Sequence, residues 1–258
     1  MARVARVVII MELLGTGLWG AGRETFEADA TTYRMFRLGA DQRAPGLPVV
    51  PGSYLKGLLR TAAYKIAGLL INAGILVGID PAAQGCWIGS TCGKCVVCQV
   101  FGSSGRHQSP LYVSPLYPVR REVLNRLKDA LWHELDVDEL LSRLDLLAEP
   151  NLTYLAHVRI DDRCGKAAEG GLFVIEGVEP TAVFLGEVKL YEAFLPGDGL
   201  DLVRALRLIL LSLAQLNYSF VGRRTRAKIS VLKHELPPEA EQDDVCKEVL
   251  RDLEWRAQ

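Results

Sequence analysis

The sequence lacks a hydrophobic run long enough to cross a lipid bilayer. Its most apolar segment, residues 66–78, lies between Lys65 and Asp80, and a spanning helix needs about 20 apolar residues. The N-terminal stretch MARVARVVIIMELLGTG has a basic start, but its apolar run is short and ends without the small-residue cleavage pattern of a secretory signal. Low-complexity runs and repeats of fixed period are also missing. We therefore expect a cytoplasmic protein that does not associate with membranes.

The chain also has little net charge, because 30 Lys and Arg side chains face 31 Asp and Glu side chains, a formal net charge of −1. The charges are nevertheless unevenly distributed. Residues 30–65 carry six basic side chains and one acid, and residues 219–234 carry five basic side chains and no acid. From residue 235 onward, eight acids face three basic residues. The nearly neutral total therefore conceals two basic segments. Each segment taken alone has a simpler explanation as a solvated loop.

The first third of the chain predicts a strand, a long loop and a helix. The β-branched run at residues 4–14 predicts a strand in the centre of a sheet. Residues 15–50 are rich in glycine and proline, and a loop of this length in a compact domain is usually functional or mobile. A helix then begins at Ser53, which we expect to cap it. Its apolar residues recur at helical spacing and predict a buried stripe: Leu55, Leu58, Leu59, Ala62 and Ile66.

The remainder of the chain completes an α+β pattern. Residues 121–149 are predicted to be mostly helical, residues 152–193 to form strands around a polar glycine-rich loop, and residues 200–216 to form a strong helix. A basic loop at 219–226 leads into the final strand. The order β–α–(insert)–β–β–α–β predicts one ferredoxin-like (RRM-like) domain over residues 1–258, with insertions.

Four of the six cysteines lie close together, in the spacing Cys86-x5-Cys92-x2-Cys95-x2-Cys98. Thiols stay reduced in the cytosol, which argues against disulfides, and the lysine and glycines among them are not a core pattern. Four thiolates can surround one tetrahedral Zn²⁺ ion. An iron–sulfur cluster also uses thiolates, but no fifth cysteine lies nearby and no proline follows the last. We predict a closed, structural zinc site in an insertion over 85–110, with His107 as an alternative fourth ligand to Cys86.

Four motifs in order resemble one known family. VPGSYLKGLLR (50–60) is similar to the I-P-G-S-x-x-K-G-x-x-R signature of the RAMP superfamily, the backbone subunits of type III CRISPR RNA-guided complexes. CGKCVVCQVFGSSG (92–105) resembles that family's C-x-x-C-x-x-C-x-x-F-G insertion. Residues 158–188 resemble its R-x-x-I-D-R … G-x-L-F … E … G-x-x-F stretch. FVGRRTRAKISV (220–231) resembles its C-terminal glycine-rich loop, although Gly222 stands almost alone there among arginines.

The resemblance implies a subunit that binds guide RNA along a helical backbone of copies of itself, together with other subunits and target RNA. Such binding must not depend on the RNA sequence. Contacts with phosphate groups meet this requirement. The candidate RNA-binding residues come from the helix start, the segment around IDDR and the C-terminal loop: Gly52, Ser53, Lys56, Arg60, Arg159, Arg163, Gly222, Arg223, Arg224 and Arg226. A local ion pair with Asp161 or Asp162 is an alternative role for the two central arginines. The resemblance also implies a thumb-like β-hairpin around 160–175, which kinks the guide–target duplex.

The family cuts target RNA with an aspartate in the loop before P-G-S-x-x-K-G, using a divalent ion such as Mg²⁺ to activate a ribose 2′-hydroxyl. By its position between the glycine-rich stretch and TTYRMFR, Asp29 matches that residue, provided that the loop over 15–50 contains an insertion. Asp41 is the alternative. Either carboxylate has a simpler explanation as a turn or cap residue.

Three functions remain open from the sequence. The first is an RNA-guided ribonuclease subunit, and the second is the same scaffold without cutting. The third is a guide-processing endonuclease of the same superfamily with a His- or Tyr-centred site, which the cysteine insertion and the PGSYLKG motif disfavour.

Overall fold

The computed structural model describes residues 3–20, 22, 24–35, 46–76, 86, 91–129, 146–196, 200–222 and 225–256. Its strands are β1 (Val4–Leu13), β2 (Arg34–Met35), β3 (Leu47–Pro48), β4 (Leu111–Val113), β5 (Tyr117–Pro118), β6 (Leu152–Asp161), β7 (Lys166–Val178), β8 (Val183–Tyr191) and β9 (Ala227–Glu235). Its helices are α1 (Gly52–Asn72), α2 (Val96–Phe101), α3 (Leu124–Asp129), α4 (Leu202–Leu216), α5 (Pro238–Gln242) and α6 (Asp244–Leu253). No helix among these residues is long and apolar enough to span a bilayer.

The central sheet is antiparallel, with the strand order β4-β8-β1-β9 and with β5 also paired to β8. Ile9 of β1 lies opposite Gly186 of β8 on one side and Val231 of β9 on the other. Alternate side chains of a strand point to opposite faces, and β1 is buried on both faces from Ala5 onward, apart from partly exposed Arg6 and Glu12. This agrees with the predicted central strand.

Helices cover one face of the sheet. Leu55 and Leu59 of α1 and Leu206 and Ile209 of α4 pack in the same core cluster as Ile9 of β1. Helix α6 adds Cys246, Val249, Leu250 and Leu253 to this core. The acidic C-terminal segment therefore packs against its own domain.

The opposite face of the sheet is also closed. Val8 and Ile10 of β1 belong to a second buried cluster with Tyr117, Val119 and Leu124. Tyr117 lies on β5 and Val119 follows it. A 3₁₀ turn at Arg121–Val123 then leads into α3, which begins at Leu124. Of the helix predicted over 121–149, residues 130–145 lie outside the described part of the chain.

A two-stranded hairpin of β6 and β7 forms its own sheet. Most of its side chains outside the base are at least partly exposed. At the tip, the amide of Gly165 donates to Asp161 O at 2.8 Å, and Gly165 takes a positive φ of 66°. The segment 160–175, where the resemblance implies a thumb-like β-hairpin, is mostly paired strand.

Helix α1 begins differently from the prediction. Its N-cap is Pro51, and Ser53 lies inside the first turn, where no side-chain cap bond is made. The prediction that Ser53 caps the helix is thus wrong. Gly52 is buried against β4, where an added Cβ would lie 2.2 Å from Val113 O and 2.8 Å from Ser114 C. Only glycine permits this close approach.

We expect Gly52→Ala to lower the free energy of unfolding by about 1–3 kcal/mol, because the methyl group would push the helix away from backbone atoms. Gly57→Ala is the matched control, since a Cβ at that position in the same helix meets nothing within 4 Å. It should raise the free energy of unfolding by about 0.5–1 kcal/mol. Chemical denaturation of both variants measures this, and equal shifts of the same sign would contradict the packing argument.

Candidate metal centre and nucleic-acid interface

The four clustered cysteines meet at one point. The Sγ atoms of Cys86, Cys92, Cys95 and Cys98 all lie within 4.8 Å of one another. Those of Cys86 and Cys98 are 3.6 Å apart, close to the separation of about 3.8 Å expected for two ligands of a tetrahedral ion with Zn–S bonds near 2.3 Å. The residues that the sequence singled out can therefore hold one metal ion such as Zn²⁺.

Backbone amides surround the sulfur atoms. The amide of Cys92 donates to Cys86 Sγ at 2.8 Å, and that of Cys95 donates to Cys92 Sγ at 3.2 Å. Burial opposes ionisation of Cys92, but the amides of Lys94 and Cys95 outweigh it and lower the pKa of Cys92 to about 6. The amides thus favour the thiolate form of Cys92, the form that a metal ion requires, whereas burial raises the pKa of Cys86 and of Cys95.

The alternative ligand, His107, points to a different atom. Its Nε2 lies 2.7 Å from Cys98 O, and the metal-binding group found among the described residues contains only the four cysteines. The imidazole instead supports the loop that follows α2, where Ser103 and His107 pair through their backbones.

Two predicted RNA-binding side chains turn toward this insertion. Lys56 Nζ donates to Leu111 O at 2.7 Å, and burial, followed by repulsion from Arg60, lowers its pKa. Arg60 donates from Nε to Tyr64 Oη at 3.1 Å and from Nη2 to Cys98 Sγ at 3.7 Å. Lys56 therefore connects α1 to β4, and Arg60 connects α1 to the cysteine insertion.

The start of α1 and the C-terminal basic loop are brought together. Tyr54 Oη donates to Val221 O, and a Cβ on Gly222 would lie 3.3 Å from Tyr54 Oη. Arg226 lies over the ring of Phe220 at 5.4 Å, and Ser53 and Arg226 are exposed. Arg223 and Arg224 lie outside the described residues. Two motifs separated by about 170 positions thus form one surface.

The hairpin holds the other two predicted arginines. Arg159 lies on β6 and Arg163 in the turn, and both are exposed. The amide of Arg163 donates to Asp161 Oδ1 at 2.9 Å, but within the described ranges neither guanidinium has an ion-pair partner. The alternative of a local ion pair is not supported.

Asp29 lies beside the hairpin. Its amide donates to Val174 O at 2.9 Å, and its Oδ2 accepts the amide of Val174 at 2.6 Å. The carboxylate is exposed, and Oδ1 has no hydrogen-bond partner in the described part of the chain. Asp41, the alternative, lies outside the described residues.

Glu176 is 4% exposed and paired with Arg34 at 2.6 Å, and it was not among the residues predicted from the sequence. An acid within the apolar run LFVIEGV was the available signal, because a buried carboxylate needs a partner.

We expect Cys98→Ser to remove the bound metal and to lower the melting temperature, because Cys98 is fully buried in the cluster and a structural metal site contributes folding free energy. The control is Cys164→Ser, since Cys164 is exposed at the hairpin tip. Elemental analysis and thermal melting with and without a chelator measure the effect. Equal metal content in both variants would rule out the cysteine site.

Arg60→Met should weaken zinc binding by about 10-fold or more, because it removes a cation that contacts a ligand sulfur. Lys65→Met removes an exposed cation from the same helix and should leave the affinity unchanged. Competition with a chromophoric chelator on the purified chain distinguishes the two. An unchanged affinity in Arg60→Met would show that its contact with Cys98 is incidental.

The comparisons with known proteins agree with the motifs. A family model described as the RAMP superfamily matches residues 36–227. No curated protein gives a significant match. The matched region runs from the segment before α1 through the cysteine cluster and the hairpin to the start of β9. The chain belongs to the RAMP superfamily.

Proposed function

We propose that this chain is a guide-RNA-binding backbone subunit of a type III CRISPR interference complex and that it cleaves target RNA in each protomer. RAMP proteins are generally associated with CRISPR-related RNA-binding complexes. The observation that carries the proposal is the contact of Tyr54 with Val221. It joins the PGSYLKG helix start to the loop that carries Gly222 and Arg226.

The core is a ferredoxin-like (RRM-like) plait. This is supported by the order β1–α1–β4/β5–β8–α4–β9 along the chain, the order β4-β8-β1-β9 in the sheet, and the two long helices on one face. RRM domains stack bases on the other sheet face, but here the second apolar cluster fills that space. RNA therefore binds at loops and a helix end, which suits contacts that ignore sequence.

Phosphate contacts come from three places: Ser53, which is exposed at the start of α1; Gly222 and Arg226 in the basic loop, together with Arg223 and Arg224, which lie outside the described residues; and Arg159 and Arg163, which are exposed on the hairpin. Arginine forks bind phosphate bidentately. Gly52, Lys56 and Arg60 support this surface from below, since Gly52 packs on β4, Lys56 contacts Leu111 of β4 and Arg60 contacts Cys98 of the insertion. The β6–β7 hairpin acts as the thumb that contacts the guide–target duplex.

Zn²⁺ is structural in this proposal. Four thiolates close the tetrahedron and leave no position for water or substrate. The six-residue α2, whose N-cap is the ligand Cys95, is too short to be stable alone, so the ion holds it against α1.

Cleavage would use the Asp29 carboxylate. Oδ2 is held by the amide of Val174, which leaves Oδ1 to bind Mg²⁺ or to orient a ribose 2′-hydroxyl. A divalent ion there would neutralise charge on the attacking oxygen. The 2′-hydroxyl would give its proton to solvent water and its oxygen would bond to the adjacent phosphorus, while the bond from phosphorus to the 5′-oxygen breaks and that oxygen takes a proton from water. The products carry a 2′,3′-cyclic phosphate and a 5′-hydroxyl.

The alternative is a scaffold of the same complex that binds guide RNA but does not cut. It is favoured by the same hydrogen bond from Val174, because a carboxylate that caps a strand amide also has a purely structural use. In either case the partners are guide RNA, target RNA, other subunits and copies of this chain, in the cytoplasm.

Asp29→Ala in the reconstituted complex should abolish Mg²⁺-dependent cleavage of a guide-complementary RNA, because removing a catalytic carboxylate costs several orders of magnitude in rate. Guide and target RNA should remain bound. Glu24→Ala, which removes an exposed carboxylate of the same loop, is the control and should cut normally.

Gel electrophoresis of end-labelled target RNA detects the regularly spaced cleavage products. The Asp41→Ala variant is assayed in parallel with the other variants. Loss of cutting only in Asp41→Ala would move the catalytic role to that residue. Full binding with no cutting by the wild type would favour the scaffold.

A further inference from the structure

The segment that carries Asp29 is attached to the outgoing strand of the hairpin. Ala30 forms a parallel bridge with Ile175 of β7. The amide of Glu176 donates to Ala30 O at 2.9 Å, and the amide of Ala30 donates to Val174 O at 3.3 Å. Asp29 is thus held to the hairpin by main-chain bonds as well as by its own side chain.

Glu176 makes the strongest side-chain contacts in this attachment. Its Oε1 accepts the amide of Thr32 at 3.1 Å, and its Oε2 accepts Arg34 Nη2 at 2.6 Å. The hydroxyl of Thr32 donates back to Glu176 O at 3.1 Å. One carboxylate therefore binds two points of the segment that follows Asp29.

Because the Glu176 carboxylate is buried, removing its charge is expected to disturb its partners. The side chain of Glu176 is 4% exposed and that of Arg34 is 20% exposed. A buried ion pair gains little over apolar packing, but removing one partner leaves a charge without compensation. Loss of the Glu176 charge should therefore release Arg34 and its segment toward solvent.

Glu187 provides a comparison within the same chain. It is 2% exposed and pairs with Arg6 at 2.7 Å and with Lys189 at 2.6 Å. These partners lie on β1 and β8, which are already joined by a continuous ladder. Glu176 instead joins β7 to residues 29–34, which are held to β7 by the Ala30–Ile175 bridge and a few main-chain bonds rather than by a continuous ladder, and which end in β2.

We infer that Glu176 is a positioning residue for the candidate catalytic carboxylate: by clamping Thr32 and Arg34, it fixes Asp29 to the hairpin so that the two move as one unit. This rests on the proposed cleavage by Asp29. Contact of the hairpin with a guide–target duplex then sets the position of the carboxylate relative to the RNA backbone.

The test compares Glu176→Gln with Glu187→Gln in the reconstituted complex, because both variants remove a buried, arginine-paired charge. Glu176→Gln should slow single-turnover cleavage by about 10- to 100-fold, the cost of misplacing a reacting group by about 1 Å. It should also raise the Mg²⁺ concentration needed for half-maximal rate, while the Kd for target RNA stays unchanged. Glu187→Gln should keep the wild-type rate and Mg²⁺ dependence.

Hydrogen exchange on the same complexes gives a readout without activity. Glu176→Gln should lose amide protection in the peptide covering residues 28–35, whereas Glu187→Gln should not. The double variant Glu176→Gln/Arg34→Gln should be no slower than Glu176→Gln, since both changes break one pair.

Unchanged protection at 28–35 in Glu176→Gln, or equal slowing by both single variants, would overturn the inference. A wild-type complex that binds target RNA without cutting it would overturn the positioning role together with the proposed cleavage. In that case a loss of protection in Glu176→Gln would show that the clamp is structural only. A cutting complex with unchanged protection would overturn the clamp and leave the proposed cleavage standing.

Discussion

The burial of β1 on both faces and its pairing on both sides constrain everything else in the molecule. Val7 and Ile9 belong to the helical core, and Val8 and Ile10 belong to the second cluster. Within the described residues both faces of this sheet are covered, so binding groups are expected where strands and helices end. The basic loop before β9 and the turn between β6 and β7 are such ends, and they carry the exposed cations Arg226 and Arg163.

The cysteine insertion shows how a short segment can be held without a core of its own. Helix α2 has six residues, and its N-cap Cys95 is a cluster ligand that accepts the amide of Cys98. Arg60 and Lys56 reach this region from α1. A metal ion bound there would therefore stabilise the helix that carries the PGSYLKG motif as well as the insertion itself.

Local patterns were predictable from the sequence, and distant pairings were not. The spacing of the four cysteines predicted their meeting, because two-residue gaps turn the chain around one point, and the β-branched run predicted β1. Lys56 and Arg60 were predicted to bind RNA, since a sequence does not reveal that Leu111 O and Cys98 Sγ lie beside them. The attachment of Thr32 to Glu176 spans 144 positions, and no local period encodes such a pair.

Residues 13–17 connect the two candidate RNA-contacting regions. Leu13 exchanges hydrogen bonds with Thr181 and Ala182 at the base of the hairpin, at 2.8 and 3.0 Å, and Gly17 pairs with Val178. The amide of Leu14 donates to Arg226 O at 2.9 Å, which attaches the basic loop to the same stretch. A displacement of the hairpin would therefore be resisted by the end of β1, a strand that is paired on both sides. Asp29 is hydrogen-bonded to Val174 of β7, a few residues before Val178. It is therefore attached to the same strand although it lies in a long irregular segment.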